Sequence, residues 1–291
     1  MTVRVIVTTL NYLPFTKTCV RSILENTKTP YELVFVDDGS TDGTVEWLKG
    51  IPNAKVLENR RKQHGPWAGY NMAIDLGGAD YYAFVDRDMV VTPNWLRKLT
   101  SLLTERPEVG IVSPVLNVGP GEQSLPQGGP PNSHNVVQAF LGVNHGVFLS
   151  DVHFTYEDIQ RLGRMVEERF PRQFIYNAPL WFHCVVMPHR TIEEIGKLDE
   201  SFFWCDGDCD YSYRSLQAGL LLAVRRDTYA HHLWEAEGIS VGAREASHYK
   251  AHNTSTGDWQ RKYGTEGPFN LPDGKAWNDL LPNKDSLLLT E

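Results

Sequence analysis

The sequence predicts an α/β fold: an open, mainly parallel sheet flanked by helices on both faces, with a C-terminal extension. Three observations predict it. Short β-branched and aromatic runs alternate with helical periodicities from Val3 to Val115. That alternation is the pattern of strands joined by crossover helices. Three of the runs end in polar residues, Thr9, Asp37 and Asp86, at the carboxyl edge where open sheets take their ligands.

The first strand is the β-branched run Val3–Thr9, followed by a helix from Pro14 to Asn26 with Phe15, Cys19, Val20, Ile23 and Leu24 on one face. Tyr31–Val36 is the second strand, and it runs into Asp37-Asp38-Gly39-Ser40-Thr41-Asp42-Gly43-Thr44. That segment is rich in capping residues and leads to a short helix over Val45–Leu48. Ala54–Leu57 is a third strand, Trp67–Leu76 a helix, and Tyr81–Val85 a buried strand ending at Asp86. A helix from Pro93 to Glu105 carries Trp95, Leu99 and Leu102 at helical spacing, and Gly110–Val115 is the next strand.

From Asn117 to Asn135 the composition turns to Gly, Pro, Ser, Asn and Gln, which predicts a functional or moving loop over a bound ligand. An amphipathic helix over Tyr156–Arg169 turns Ile159, Leu162, Met165 and Val166 inward. Trp181–Met187 reads as a strand returning to the sheet, and Thr191–Ile195 as a short helix. The acidic cluster Asp206-Gly207-Asp208-Cys209-Asp210 opens a helix that runs to Ala218 and stops at Gly219. Leu220–Val224 is a strand, after which a connecting segment leads to His231 and His232. The tail beyond Tyr263 wraps the surface, with Leu287-Leu288-Leu289 docking on the core.

Composition excludes several classes. A net charge of −8 over 291 residues gives no general attraction to nucleic acid or to an anionic membrane. No apolar run reaches membrane-spanning length, and the chain starts on a strand pattern rather than a signal peptide. Cys19, Cys184, Cys205 and Cys209 lack paired C-x-x-C spacing, so a reducing cytoplasm is the simplest expected compartment. The segment after the first strand, Thr8-Thr9-Leu10-Asn11-Tyr12-Leu13-Pro14, has no glycine fingerprint, and no Walker A sequence occurs. A Rossmann dehydrogenase and a P-loop enzyme are thereby excluded.

Asp86-Arg87-Asp88 ends a strand in two carboxylates one residue apart, and an extended chain puts both on one side. Such charges repel unless one is protonated or a cation lies between them. A divalent metal that also binds phosphate suits them; an exposed turn is the plainer alternative. Asp37 suits a base N–H, whereas Ser40, Thr41 and Asp42 read as capping residues. Arg60-Arg61-Lys62-Gln63-His64-Gly65 is either a solvated charge run or a phosphate contact at a helix N-terminus. Asp208 sits where the helix dipole favours a carboxylate able to act as a base. Asp210 and Arg214 are spaced as a structural pair. Of the adjacent His231 and His232, only one can join Asp86 and Asp88 on a metal, and a buried, hydrogen-bonded core histidine is the alternative for either.

Taken in order, these pieces resemble the family 2 glycosyltransferases of the GT-A fold. The resemblance rests on Val7–Tyr12, Val36–Thr44, Gly65–Asn71, Val85–Asp88, Ile195–Phe203 and Asp208–Arg214, and it covers roughly residues 3–240. It implies transfer, with inversion, from a nucleoside-diphosphate sugar, a UDP-sugar favoured, to a hydroxyl of a glycan, lipid-linked or other acceptor. It implies a donor site of Thr9, Asn11, Asp37, Gly65, Asn71, Asp86 and Arg87. It implies Mn²⁺ or Mg²⁺ on Asp88 and His231 or His232, and Asp208 as the base. The family often has Glu-Asp where this chain has Gly207-Asp208, which makes Asp206 the alternative base. In these terms residues 1–115 form the nucleotide-sugar half, 116–240 the acceptor and catalytic half, and 241–291 the extension. A nucleotidyltransferase would need a Gly-rich loop after the first strand, and an inactive sugar-nucleotide-binding module would keep the pocket without turnover.

Overall fold

A computed structural model of the chain describes residues 1–59, 65–125, 154–203, 205–233, 257–282 and 287–288. Ten strands form one mixed sheet: β1 Val3–Thr9, β2 Glu32–Asp37, β3 Ala54–Glu58, β4 Tyr81–Asp86, β5 Met89–Val91, β6 Val109–Leu116, β7 Gln173–Tyr176, β8 Cys184–Pro188, β9 Leu221–His232 and β10 Leu287–Leu288. The path runs β10-β7-β9-β6-β8-β4-β1-β2-β3, and β5 pairs with β9 off this path. Strands β3, β2, β1 and β4 are all parallel, as are β6 and β9, while β8, β7, β5 and β10 join antiparallel.

The two-residue alternation of each strand builds two cores. Val3, Val5 and Val7 of β1, with Phe35, Ala83 and Val85, pack one face. Against them lie α1 Leu13–Asn26, α2 Thr44–Lys49 and α4 Trp95–Glu105, through Cys19, Ile23, Leu48, Trp95, Leu99 and Leu102. Leu24, expected on the inner face of α1, is instead 51% exposed, because it falls just past the edge of the buried stripe.

Ile6, Val34, Val36 and Phe84 point the other way. That face is covered by α3 Gly65–Ile74, α5 Tyr156–Arg169, α6 His189–Ile195 and α7 Gly207–Gln217. A Thr155–Asp158 capping box starts α5. Among the described residues no helix is long and apolar enough to cross a membrane.

The C-terminal segment is tied into this second face. Trp259 lies on Tyr213, and Lys262 joins Asp199 at 2.7 Å and Asp210 at 2.6 Å. The Tyr263 hydroxyl also donates to Asp210, and β10 pairs with β7 through Leu287 and Leu288.

Register decides what reaches the carboxyl edge of the sheet. Thr8 lies opposite Asp86 and Thr9 opposite Asp37. Antiparallel β8 enters beside β4 with Cys184 opposite Val85, so the Asp86 N–H bonds the His183 carbonyl at 2.9 Å. Strand β9 runs on past Val224, where a connecting segment was expected, and carries both histidines opposite β5.

Candidate active site

Four side chains from three places in the sequence, Asp86, Asp88, His183 and His232, converge on this edge. Asp86 ends β4, and its Oδ1 accepts from the Tyr70 hydroxyl at 3.0 Å. Tyr70 is held in turn by stacking on Phe84, with centroids 4.2 Å apart. The other oxygen, Oδ2, lies 2.7 Å from Nδ1 of His183. The His183 ring stacks on His232 at 4.3 Å and 23°. Nε2 of His232 is 3.3 Å from Asp88 Oδ2. The two carboxylates are therefore linked through a pair of imidazoles.

The backbone explains why these groups meet. Residues 87–88 turn rather than continue the strand as expected, and β5 then pairs with β9 so that Met89 faces His232. Asn117 clamps the His232 backbone, accepting from its N–H at 2.7 Å and donating to its carbonyl at 2.9 Å. Neighbours on a strand point to opposite faces, so His231 turns away. Its Nδ1 meets the Tyr229 hydroxyl at 2.7 Å, and burial, aided by His232, pushes its pKa down to about 3. His231 is the core histidine and His232 the one beside Asp88.

Electrostatics bind the group together. Burial opposes charge on Asp88, yet His232, Arg87 and His183 hold it well below the usual carboxylate range. Burial likewise opposes charge on His183, but the hydrogen bond and charge of Asp86, with Asp88 and Asp208, raise its pKa. One ligand atom each from Asp86, His183 and His232 lies within 4.8 Å of the others. Carboxylate oxygen and imidazole nitrogen at that spacing are a chemically suitable donor set for a divalent cation.

Asp208 lies in the first turn of α7 and feels this cluster, since His183 favours its ionised form. Burial nonetheless raises its pKa to about 6, opposed by the backbone N–H groups of Cys209 and Phe182 and assisted by the charge of Asp206. The helix dipole alone suggested a strongly ionised group; desolvation outweighs it. Asp206 is the N-cap residue, with φ 64°. Gly207 between them must be glycine, because a Cβ there would come within 2.5 Å of the Trp67 indole. Asp210 is wholly buried and pairs with Arg214 at 2.9 Å, as the spacing suggested.

The remaining sequence-derived positions form the frame. Asp37 Oδ2 accepts from Thr9 Oγ1 at 2.9 Å and from the Ser40 hydroxyl, while Oδ1 accepts from the N–H groups of Gly39 and Ser40. Asn11, in the left-handed region at φ 56°, accepts from the Thr41 N–H at its side-chain oxygen and donates its own backbone N–H to Ser40 Oγ. Asn71 uses both Nδ2 hydrogens, on the Leu198 carbonyl and Glu200, and its Oδ1 on the Leu198 N–H. Its amide thus clamps the 198–200 loop. Gly65 opens α3 at φ 76°, its N–H on Asp38 and its Cα against the Phe203 carbonyl, where a Cβ has no room. The Arg87 guanidinium lies over Tyr12 at 5.2 Å. Arg60–His64 and the Asn117–Asn135 loop from residue 126 onward lie outside the described residues.

The chain is similar to known glycosyltransferases in sequence and in fold. The Glycosyl transferase family 2 profile matches residues 4–148. The chain is 30% identical over 93 residues to the uncharacterized glycosyltransferase YibD of Escherichia coli, covering 31% of this chain and 26% of that protein. It is 28% identical over 248 residues to the hyaluronan synthase of Pasteurella multocida, covering 78% of this chain but 24% of the synthase. Among solved structures, the mannosyltransferase PcManGT of Pyrobaculum calidifontis, in complex with GDP-Man and Mn²⁺, superposes with a TM-score of 0.54 at 17% identity. That match covers 92% of this chain and 66% of the mannosyltransferase, and it establishes the fold as GT-A. The chain spans about a quarter of the length of both curated relatives.

Proposed function

The chain belongs to glycosyl transferase family 2, and we propose that it moves a sugar from a nucleoside-diphosphate sugar to an acceptor hydroxyl, with inversion at the sugar carbon. The observation that carries this reading is the meeting of Asp86, Asp88, His183 and His232 at the carboxyl edge of the parallel strands, with Asp208 electrostatically coupled to them. Two chemical demands are answered by that arrangement. A departing nucleoside diphosphate gathers negative charge, and an attacking hydroxyl must lose a proton.

Asp88, with Asp86 and His232 beside it, would hold Mn²⁺ or Mg²⁺, as the solved mannosyltransferase holds Mn²⁺ with GDP-Man. Such an ion, when bound, stabilises the charge growing on the leaving diphosphate. Asp208 takes the acceptor proton. A base works best with its pKa near the working pH, and about 6 meets that condition better than an ordinary aspartate. Asp206 is the alternative base and otherwise tunes Asp208 through its charge.

Asp37 with Thr9 receives the nucleobase. Its carboxylate already accepts four hydrogen bonds, two of them from the rotatable hydroxyls of Thr9 and Ser40. Rotation of either hydroxyl releases an acceptor site for a base N–H, and a UDP-sugar is the donor favoured. Asn11, Gly65 and Asn71 hold the loops around the donor, and Arg87 supplies positive charge beside it. The acceptor is a hydroxyl of a glycan, a lipid-linked sugar or a related molecule. Four free cysteines suit a reducing, cytoplasmic setting.

A panel of UDP-, GDP- and dTDP-sugars incubated with the chain and Mn²⁺ tests the proposal. Release of nucleoside diphosphate from at least one donor is expected, and faster with a sugar acceptor. Absence of both binding and turnover across the panel would refute it.

A further inference from the structure

The D-x-D pattern of the sequence led to a cation held by carboxylates and one histidine. The structure adds a side chain that no motif marked. We propose that His183 is itself a cation ligand, and that Asp86, His183 and His232 form a site able to hold a divalent metal before any nucleotide arrives. This deepens the donor-site reading above and rests on it.

Geometry is the first support. Ligand atoms of one metal ion lie about 3 Å apart, given bonds of about 2.1 Å. The three donor atoms here already fall within 4.8 Å of one another. Small side-chain rotations close the difference. His183 Nδ1 and Asp86 Oδ2 are 2.7 Å apart, the separation of two groups that can share one ion. The near-parallel stack holds the two imidazole rings 4.3 Å apart.

Rigidity is the second. The donors stand at the end of β4, just ahead of β8 and at the end of β9, where the backbone locks them. Asp86 N–H bonds the His183 carbonyl at 2.9 Å, and Asn117 grips both backbone groups of His232. Outer contacts orient the ligands as well. The Tyr70 hydroxyl fixes Asp86, and the Trp181 ring meets His183 edge-on at 5.9 Å. Such partners hold metal ligands in place and tune their affinity. A site built this way needs no diphosphate to assemble it.

The donor set also dictates preference. Two imidazoles and one carboxylate favour Mn²⁺, Co²⁺ and Zn²⁺ over Mg²⁺, which prefers oxygen and keeps its waters. Three protein ligands, joined by the adjacent Asp88 once the donor is bound, leave coordination positions open for diphosphate oxygens.

The competing explanation is that His183 is only a positive partner for Asp86. Calorimetric titration of Mn²⁺ into the full chain without nucleotide separates the two, with Co²⁺ absorption as a second readout. One Mn²⁺ per chain is expected, with Mg²⁺ at least about tenfold weaker. His183→Ala and His183→Asn should each weaken Mn²⁺ binding at least about tenfold and change the Co²⁺ spectrum, with circular dichroism unchanged. Asn keeps a hydrogen bond to Asp86 but is a poor ligand, so it distinguishes ligation from hydrogen bonding. Wild-type Mn²⁺ binding only in the presence of nucleotide, or undiminished binding by both variants, would overturn the proposal. Cation-dependent donor turnover with unaltered binding in both variants would remove His183 alone and leave the transferase reading standing. His183-dependent binding without turnover of any donor would do the reverse.

Discussion

Replacing Asp208 with Asn removes the proposed base while keeping the side chain's size and a hydrogen-bonding oxygen for the Cys209 N–H. Loss of a general base costs about 10²–10⁴-fold in rate, or about 3–5 kcal/mol at 1.36 kcal/mol per tenfold. Donor affinity should stay near the wild-type value, since the nucleotide contacts proposed for Asp37 and Thr9 do not involve this turn. The pH profile carries the sharper signature. Burial raises the Asp208 pKa to about 6, and only the ionised form can accept a proton. Transfer should therefore fall as pH drops through 6, to about a tenth of its plateau by pH 5. The residual activity of Asp208→Asn should lack that limb. Single-turnover kinetics with saturating donor, between pH 5 and 8, measure both effects. Retention of most of the rate by Asp208→Asn, with Asp206→Asn losing it, would move the base two residues upstream.

Two further outcomes follow from side chains that the structure separates. His232→Ala should lose at least about tenfold in Mn²⁺ affinity, whereas His231→Phe should bind Mn²⁺ like the wild type, because His231 faces Tyr229; titration calorimetry compares them. Asp210→Ala strands Arg214 and Lys262 around a wholly buried position and should cost about 3 kcal/mol, lowering Tm by roughly 5–10 °C in a thermal melt.

Legibility in the sequence followed the range of the interactions involved. The bounds of β1, β4 and α5 could be read directly, because an unbroken β-branched run or a clear amphipathic period determines each locally. Met89–Val91 and Gln173–Tyr176 escaped notice: at three and four residues they carry too little pattern, and distant partners make them strands, β9 for the first and β9 with β10 for the second. Strand β9 itself ran longer than its apolar stretch because its polar second half is paired on β5 and β6.

The site shows the same limit. Thr9, Asp37 and Asp86 mark strand ends, and strand ends are local. Which of two adjacent histidines faces Asp88 depends on the β5–β9 register, and no spacing rule supplies it. His183 was missed for a related reason. Its chemistry comes from the antiparallel pairing of β8 with β4, across 97 residues of chain. The available signal was a histidine just ahead of the apolar run Cys184-Val185-Val186-Met187, a place where a core strand would otherwise favour an apolar residue.

The most direct measurement is nucleoside-diphosphate release from the preferred donor, with acceptor, by the wild-type chain and by Asp88→Asn, before and after exhaustive chelation. Turnover should vanish on chelation, return with Mn²⁺ in the wild type, and stay lost in Asp88→Asn. Full turnover after chelation, or an Asp88→Asn chain as active as the wild type, would contradict a cation-assisted sugar transfer at this edge of the sheet.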